Sequence, residues 1–362
     1  MANTKGKSYR ILVINPGSTS TKLAVFEDEQ LLHGETIAHP HQQLAAFPRI
    51  PDQYAFRRDA VLAFLEKHTV QPGSLQAVVG RGGLLRPLAS GTYRVNELML
   101  QELRTPNKER DHVTNLGALI ANEIAQPLGI PAFIVDPVCV DEMEPLARIS
   151  GLPEIERKSL SHVLSLKSAA RRAARDLGRP YEQLNLLVVH MGGGISVTAH
   201  RQGRMVDVNQ ALDGTGPFSP ERAGGLPFGD VMRLCFSGKY TYDELFRRMT
   251  RQAGLLAHLD TNDAAEVEKR IAGGDEHARL IYEAMAYQIA KEIGLMATVL
   301  KGKVDATVLT GGLARSSMLV SWIRERVEWI APLIVYPGED EMLAMVQGAL
   351  RVLRGEEEAK EY

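Results

Sequence analysis

The 362-residue sequence predicts an α/β protein made of two similar halves. Three observations point there. Short β-branched runs bounded by turn residues alternate with longer stretches of helical periodicity. Two segments recur in the same order: "YRILVINPGSTSTKLAVFEDEQL" is echoed by "LNLLVVHMGGGISVTAHRQGRM", and "LQAVVGRGGL" by "DATVLTGGLA". The first pair reads as strand, Gly/Ser turn, strand, then a polar turn into a third strand; the second reads as a buried strand ending in Gly-Gly. The chain is also longer than one hydrophobic core usually supports, so two domains are expected, with a cleft available between them.

In order, strands are predicted over 10–14 and 22–27, a helix over 54–67, and a strand over 75–79. A helix follows over 112–127, where Asp111 is placed to cap "HVTNLGALIANEIA". A strand at 132–136 and a helix at 161–177 lead to the second hairpin, 184–190 with 195–200. Helices at 241–250 and 276–300, a strand at 304–309, a helix at 316–328, a strand at 332–336 and a helix at 340–354 complete the pattern. Met and Leu along 276–300 read as core.

Composition narrows the function. The chain is 44% apolar and 24% charged, with a net charge of -2 and no long basic run, which argues against nucleic-acid or membrane-surface partners. The two cysteines, Cys139 and Cys235, lie far apart without CxxC or His-rich context, so neither a disulfide framework nor a zinc site is expected. The opening MANTKGKSYR, with Lys5, Lys7 and Arg10, runs into a strand rather than a signal-peptide core. No apolar run approaches ~18 residues, so a cytoplasmic protein acting on a small molecule is expected.

The hairpin "NPGSTSTK" raises the chemical question. A tight turn needs Gly, Asn or Pro for its backbone angles and has no use for four hydroxyls and a lysine, so the surplus suggests an oxygen-rich ligand, phosphate above all. Gly-rich turns let backbone N–H groups approach an anion closely. No Walker loop is present: the Gly6-Lys7-Ser8 triplet lacks the upstream glycine, and no GxGxxG follows a strand. Arg81 interrupts a Gly turn, and Arg222 lies in "LDGTGPFSPERAGGLP", too elaborate for a simple connection; both suit an anion better than an ordinary surface loop does. Asp136 ends "AFIVD", at a strand terminus where α/β sites collect. His190 stands before Gly192-Gly193-Gly194, with a structural histidine as the alternative, whereas His162 and His112 read by position only as residues at helix heads.

Taken with "HMGGG", "DGTGPFSPERAGGLP" and "VLTGG" in that order, the hairpin makes the chain resemble the butyrate kinases, which belong with acetate kinases in the acetokinase branch of the actin-like, sugar-kinase and heat-shock ATPase superfamily. The resemblance runs from about Tyr9 to Leu353. It implies two RNase-H-like (actin-like ATPase) domains around a nucleotide cleft, spanning 1–155 and 156–342, with a last helix at 343–362 packing back on the first. It implies reversible transfer of phosphate from ATP, with Mg²⁺, to a short fatty acid, and an oligomer of at least two chains. Asn15, Ser18, Ser20 and Lys22 would face the phosphoryl group, Gly192, Gly193 and Gly194 the ATP phosphates. Arg81 and Arg222 would neutralise the carboxylate and equatorial phosphoryl oxygens, and His162 would donate to the transferring group. The same resemblance assigns His190, Asp263, Gly311, Gly312 and Leu313 to nucleotide binding, Gly83, Ser161 and Pro217 to substrate binding, and Asp136 and Glu341 to Mg²⁺, Glu341 having Glu339 and Asp340 beside it.

The residue types make independent sense. A fatty acid is already a carboxylate at neutral pH, so no general base is needed; the obstacle is bringing an anion in line with a polyanionic γ-phosphate, and cations must dominate. Three departures from the resemblance bear on specificity. Ala265 replaces an arginine near the adenosine, Ser161 a Phe common before the histidine, and Gly83 a Val of acetate kinases. The two smaller residues at 83 and 161 are expected to leave room for a longer or branched acyl chain. A broad acetate/propionate kinase and a non-metabolic actin-like ATPase are the alternatives.

Overall fold

The computed structural model describes residues 8–105, 111–338 and 340–362. Lys5, Gly6 and Lys7 of the opening segment, and Glu339, lie outside the described residues. Along the chain the elements are β1 (Arg10–Pro16), β2 (Ser20–Glu27), β3 (Gln30–Ala38), α1 (His41–Leu44), α2 (Tyr54–Lys67), β4 (Ala77–Gly80), β5 (Thr92–Arg94), α3 (Glu97–Arg104), α4 (Asn115–Ala125) and β6 (Ala132–Val135). Then come α5 (Pro145–Arg148), α6 (Val163–Asp176), β7 (Asn185–Met191), β8 (Ile195–Arg201), β9 (Arg204–Val208), α7 (Phe228–Cys235), α8 (Tyr242–Arg251), α9 (Gly254–Leu259), α10 (Ala264–Ala272), α11 (Glu276–Val299), β10 (Ala306–Gly311), α12 (Ser317–Val327), β11 (Leu333–Pro337) and α13 (Glu341–Leu353). They divide into two compact units, Met1–Val140 with Asp340–Tyr362, and Asp141–Glu339.

The first unit holds a sheet in the order β3-β2-β1-β4-β6-β5. β1 to β3 form an antiparallel meander, while β1, β4 and β6 run parallel. All four residues of β4 and of β6 are buried, as parallel strands covered on both faces require. Strand alternation sends Leu12, Ile14, Val78 and Ile134 into one core with Val61 and Phe64 of α2 and Leu116 and Ile120 of α4. The opposite face is covered by α13, whose Gly348 approaches Val135 so closely that a Cβ there would lie 2.4 Å from Cγ1. A second close approach, between the backbones at Gly80 and Gly117, brings α4 onto the end of β4; a Cβ on Gly80 would fall 2.2 Å from the Gly117 carbonyl oxygen.

The second unit repeats the arrangement. Its sheet order is β11-β10-β7-β8-β9, with β7 to β9 antiparallel and β7, β10 and β11 parallel. Read from the same end, β6-β4-β1-β2-β3 and β11-β10-β7-β8-β9 have identical pairings and directions, and each meander carries a register shift in its second pair. The echo seen in the sequence is thus a duplicated fold. Leu187, Val189, Val197 and Leu309 pack with Tyr282, Met285 and Ile289 of α11 and Leu319 and Ile323 of α12, while α6 lies against β7 and β10.

Two local expectations are corrected. Asp111 does not cap the helix predicted from 112: α4 begins at Asn115 after Thr114, with no side-chain cap, and one carboxylate oxygen of Asp111 is buried without a hydrogen-bond partner among the described residues. Residues 112–114 instead form a turn closed by His112 Nδ1 and Thr114 Oγ1 at 2.8 Å, which delays the helix. β5 and α3 carry no strong strand or long helical pattern; α3 is started by Asn96, whose side chain accepts from the Met99 N–H.

Candidate active site

In the first unit the predicted residues collect at the carboxyl ends of the parallel strands, where open α/β sheets build sites. Asn15 is near the end of β1, directly opposite Lys22 on β2. Arg81 follows β4 and Asp136 follows β6. Glu341 opens α13, and Asp340 before it accepts from the Leu343 N–H as the helix cap. The Glu341 carboxylate accepts from Asn15 Nδ2 at 2.9 Å and pairs with the Arg81 guanidinium. Burial raises its pKa, but the charge of Arg81, hydrogen bonds from Asn15 and Arg81, and the charge of Lys22 outweigh this and hold the carboxyl below its ordinary value. Four predicted residues therefore form one cluster.

Asp136 is buried and takes a left-handed backbone, φ 39°, unusual for a residue with a Cβ. Its Oδ1 accepts from Ser90 Oγ at 2.6 Å and the Gly91 N–H at 2.8 Å. Such a locked conformation at a strand end is the kind of strain functional sites retain. Gly83 differs from expectation: it leaves no open room, because a Cβ there would lie 2.3 Å from Asn115 Oδ1 and 2.9 Å from Leu103 Cδ2. Asn115 occupies that space and accepts from the Leu84 N–H at 2.9 Å.

The Gly-Ser-Thr-Ser turn is supported from behind by Arg57 of α2, fully buried at 0% exposure. Its Nη1 donates to the Ser20 carbonyl at 2.9 Å and Thr21 Oγ1 at 3.0 Å, its Nη2 to the Ser18 carbonyl at 3.2 Å, and its Nε to Gln53 Oε1 at 3.0 Å. Burial pulls its pKa down to about 10, so it remains cationic at neutral pH. Ser18 itself is exposed and Ser20 half-buried on the outer side of the turn.

In the second unit His162, His190, Arg222 and the Gly192–Gly194 turn come together. The two imidazoles stack with centroids 4.1 Å apart and planes 19° apart. Ser165 Oγ lies 3.0 Å from His190 Nδ1, and Ser196 Oγ lies 2.9 Å from His162 Nδ1 while also accepting the His162 N–H at 3.3 Å. Gly194 is pressed against both chemical groups: a Cβ there would fall 2.2 Å from Arg222 Nη1 and 3.1 Å from His162 Cε1. Arg222 Nη1 donates to the Ala211 carbonyl at 2.6 Å, whereas its buried Nε has no partner among the described residues. Burial lowers the pKa of Arg222, opposed by the charge of Glu221 and reinforced by that of Arg251. Pro217 and Arg222 line a small open pocket with Ile195, Ala211 and Thr215. Ser219 ties the Arg222 loop to the Gly turn by donating to the Gly193 carbonyl at 2.6 Å. Ser161 is buried beside His162, with a hydroxyl that finds no partner among the described residues.

The other predicted nucleotide residues are less closely grouped. Asp263 Oδ1 accepts from the Ala265 N–H as the cap of α10. Gly311, at φ 96°, abuts the Met191 carbonyl and exchanges two backbone hydrogen bonds with Gly338, and Gly312 faces open space. The Leu313 side chain belongs to the apolar core, which leaves only its backbone for a ligand. Sequence reasoning missed Arg57, Ser196 and Arg315, whose guanidinium lies over Gly338. Arg315 had a signal, since it follows Gly311-Gly312 closely; Arg57 had only its place in the apolar register of α2.

Magnesium keeps most of its waters and takes one or two carboxylates plus substrate phosphates, so it does not need a dedicated cage. Among the described residues no group of three His, Cys, Asp or Glu could hold a metal ion. Of the two carboxylates assigned to such an ion, Glu341 is kept ionised by Arg81 and Asn15, and Asp136 sits at a strand end in the same unit.

Residues 155–331, a little under half of the chain, match the sequence model of the acetokinase family. Solved structures superpose over almost all of it. An acetate kinase from Porphyromonas gingivalis gives a TM-score of 0.77 at 19% identity, covering 95% of this chain and 100% of that one. An acetate kinase from Entamoeba histolytica gives 0.76 at 15%, covering 95% and 100%. A propionate kinase from Francisella tularensis subsp. tularensis gives 0.72 at 19%, covering 94% and 98%. Residues 155–331 are thus similar in sequence to the acetokinase family, and the chain as a whole has the duplicated α/β fold seen in these acetate and propionate kinase structures.

Proposed function

We propose that the protein is an ATP-dependent carboxylate kinase that phosphorylates a short-chain fatty acid, with butyrate or a branched four-carbon acid as the preferred substrate. The observation that carries the kinase reading is the meeting of Gly194, Arg222 and His162 at one point within an acetokinase-family segment. A carboxylate oxygen attacks the γ-phosphorus, the bond to the β-phosphate oxygen breaks, and acyl phosphate and ADP result. Because the acid is already ionised, the residues act by positioning and charge. Arg81 and Lys22 offset the anionic charge at the acyl and phosphoryl end, and Asn15 orients it. Arg222 stabilises the equatorial oxygens as charge spreads, and His162, steadied by Ser196, donates to them. The Gly192–Gly194 backbone and the Gly311–Gly312 turn hold the nucleotide. Asp136 and Glu341 would hold Mg²⁺ through water, which when bound supplies further charge neutralisation on the phosphates.

The preference for four carbons rests on Ser161, smaller than the Phe of similar kinases. A second reading, an acetate/propionate kinase of broad specificity, is favoured by Asn115 and Leu103 filling the space at Gly83. Each extra buried methylene contributes about 0.8 kcal/mol, so the two readings differ in preference rather than mechanism. A hydroxamate assay for acyl phosphate with Mg-ATP and acetate, propionate, butyrate, isobutyrate and valerate tests both. Strongest signal on butyrate or isobutyrate supports the first reading, acetate or propionate preferred supports the second, and no signal on any acid contradicts the kinase reading.

A further inference from the structure

Arg57 takes no part in the roles assigned above, and its surroundings are unusual for a buried charge. A guanidinium removed from water ordinarily acquires a carboxylate. Here, among the described residues, every hydrogen-bond acceptor of Arg57 is neutral: two carbonyls, one hydroxyl and one amide oxygen. The titratable neighbour is His39, whose Nε2 lies 2.8 Å from Thr21 Oγ1 and whose pKa is lowered by burial first and by the charge of Arg57 second. So no described residue neutralises the positive charge behind the hairpin from its own side.

The geometry also fixes which way the turn faces. In a trans peptide the C=O and the following N–H point in opposite directions. With the Ser18 carbonyl drawn to Arg57, the Thr19 N–H is turned outward, to the side where Ser18 and Thr19 are exposed. The Thr19 carbonyl is itself fixed, accepting from the His39 N–H at 2.7 Å.

We propose that Arg57 is a positioning residue for phosphate: it holds the Gly17–Ser20 turn, which the Gly17 N–H closes on the Ser20 carbonyl at 2.8 Å, with the Thr19 N–H and the exposed Ser18 and Thr19 outward, and its uncompensated charge is balanced when a phosphoryl group seats on the turn. The inference rests on reading the hairpin as the phosphoryl site. It goes beyond that reading in assigning part of the affinity to a side chain that does not touch the ligand.

Arg57→Gln and Arg57→Lys separate charge from packing. The readouts are calorimetric titration of the full-length chain with inorganic phosphate, thermal melting, and kcat and KM in the acyl phosphate assay. The expected result is that Arg57→Gln weakens phosphate binding by about tenfold or more and lowers kcat by about thirtyfold or more, while Arg57→Lys, which keeps the charge, stays within about threefold on both at a similar melting temperature. Phosphate affinity in Arg57→Gln within about twofold of wild type, or equal losses in the two variants, overturns the proposal. Should Arg57→Gln not fold, a loss of more than about tenfold in Arg57→Lys overturns it alone, and retention within threefold supports it. A wild type that binds phosphate through Arg57 but forms no acyl phosphate overturns the kinase reading and leaves this inference standing. A wild type that forms acyl phosphate while Arg57→Gln behaves normally does the reverse.

Discussion

Arg222 is the residue on which the proposed chemistry most depends. Its guanidinium touches Gly194, lines the small pocket with Pro217, and keeps a buried Nε–H without a partner among the described residues, an arrangement suited to a ligand oxygen. Arg222→Ala is expected to lower kcat about a hundredfold while equilibrium binding of ATP changes little; a matching loss of ATP affinity with unchanged kcat would assign it to ground-state binding instead. Ser196→Ala should lower kcat about tenfold through misorientation of His162, with KM nearly unchanged, as steady-state kinetics would show. The arginines at 81 and 222 were legible in the sequence because each interrupts a Gly-rich loop that packing alone does not demand. Arg57 and Ser196 were not. An arginine on a helix reads as surface, and only the tertiary fold shows that Arg57 begins the buried stripe continued by Val61, Phe64 and Leu65. Gly83 was misread for a related reason: a glycine leaves room only if nothing else fills it, and Asn115 comes from a distant segment.

Among the elements, α13 links stability to the site. It brings Glu341 to Asn15 and Arg81 and lays Gly348 on Val135. Gly348→Ala should destabilise the protein by about 1–3 kcal/mol through overpacking, measured as a lower urea midpoint. The pH dependence follows from Glu341. Its carboxyl pKa in the folded chain lies below the ordinary 4.5, so its ionised form adds stability above that value, and the contribution is lost as pH falls through the lower folded value. Urea midpoints of wild type and Glu341→Gln should therefore differ most near neutral pH and converge in acid; a gap that persists unchanged at low pH would contradict the assignment. The long elements were readable from periodicity alone, including α2, α6, α11 and α13. The start of α4 was displaced by the His112–Thr114 turn, and β5 escaped notice because three residues carry no pattern; its order comes from pairing with β6 and from a bridge between Tyr93 and Lys360.

For the whole molecule, the duplication explains how one chain carries two sets of Gly-rich turns, which the proposed function uses to bind anions. In each unit the first strand leads into a hairpin turn and the neighbouring parallel strand ends at a Gly-Gly sequence, Gly82-Gly83 or Gly311-Gly312, so both turns emerge at the same end of the sheet. The first unit adds Lys22, Arg81 and a carboxylate; the second adds a longer Gly turn, two histidines and Arg222. The echo was legible because hairpin and Gly-Gly strand end recur in order, whereas the matching sheet order required the fold. In the proposed function, ATP turnover is the phosphorylation of a carboxylate. The direct measurement is ADP release from Mg-ATP with and without butyrate, with ³¹P spectroscopy of the phosphorus product. ADP formation that requires the acid and yields acyl phosphate is the predicted result; equal ADP formation without any acid, with inorganic phosphate as the product, would contradict the account and favour an actin-like ATPase.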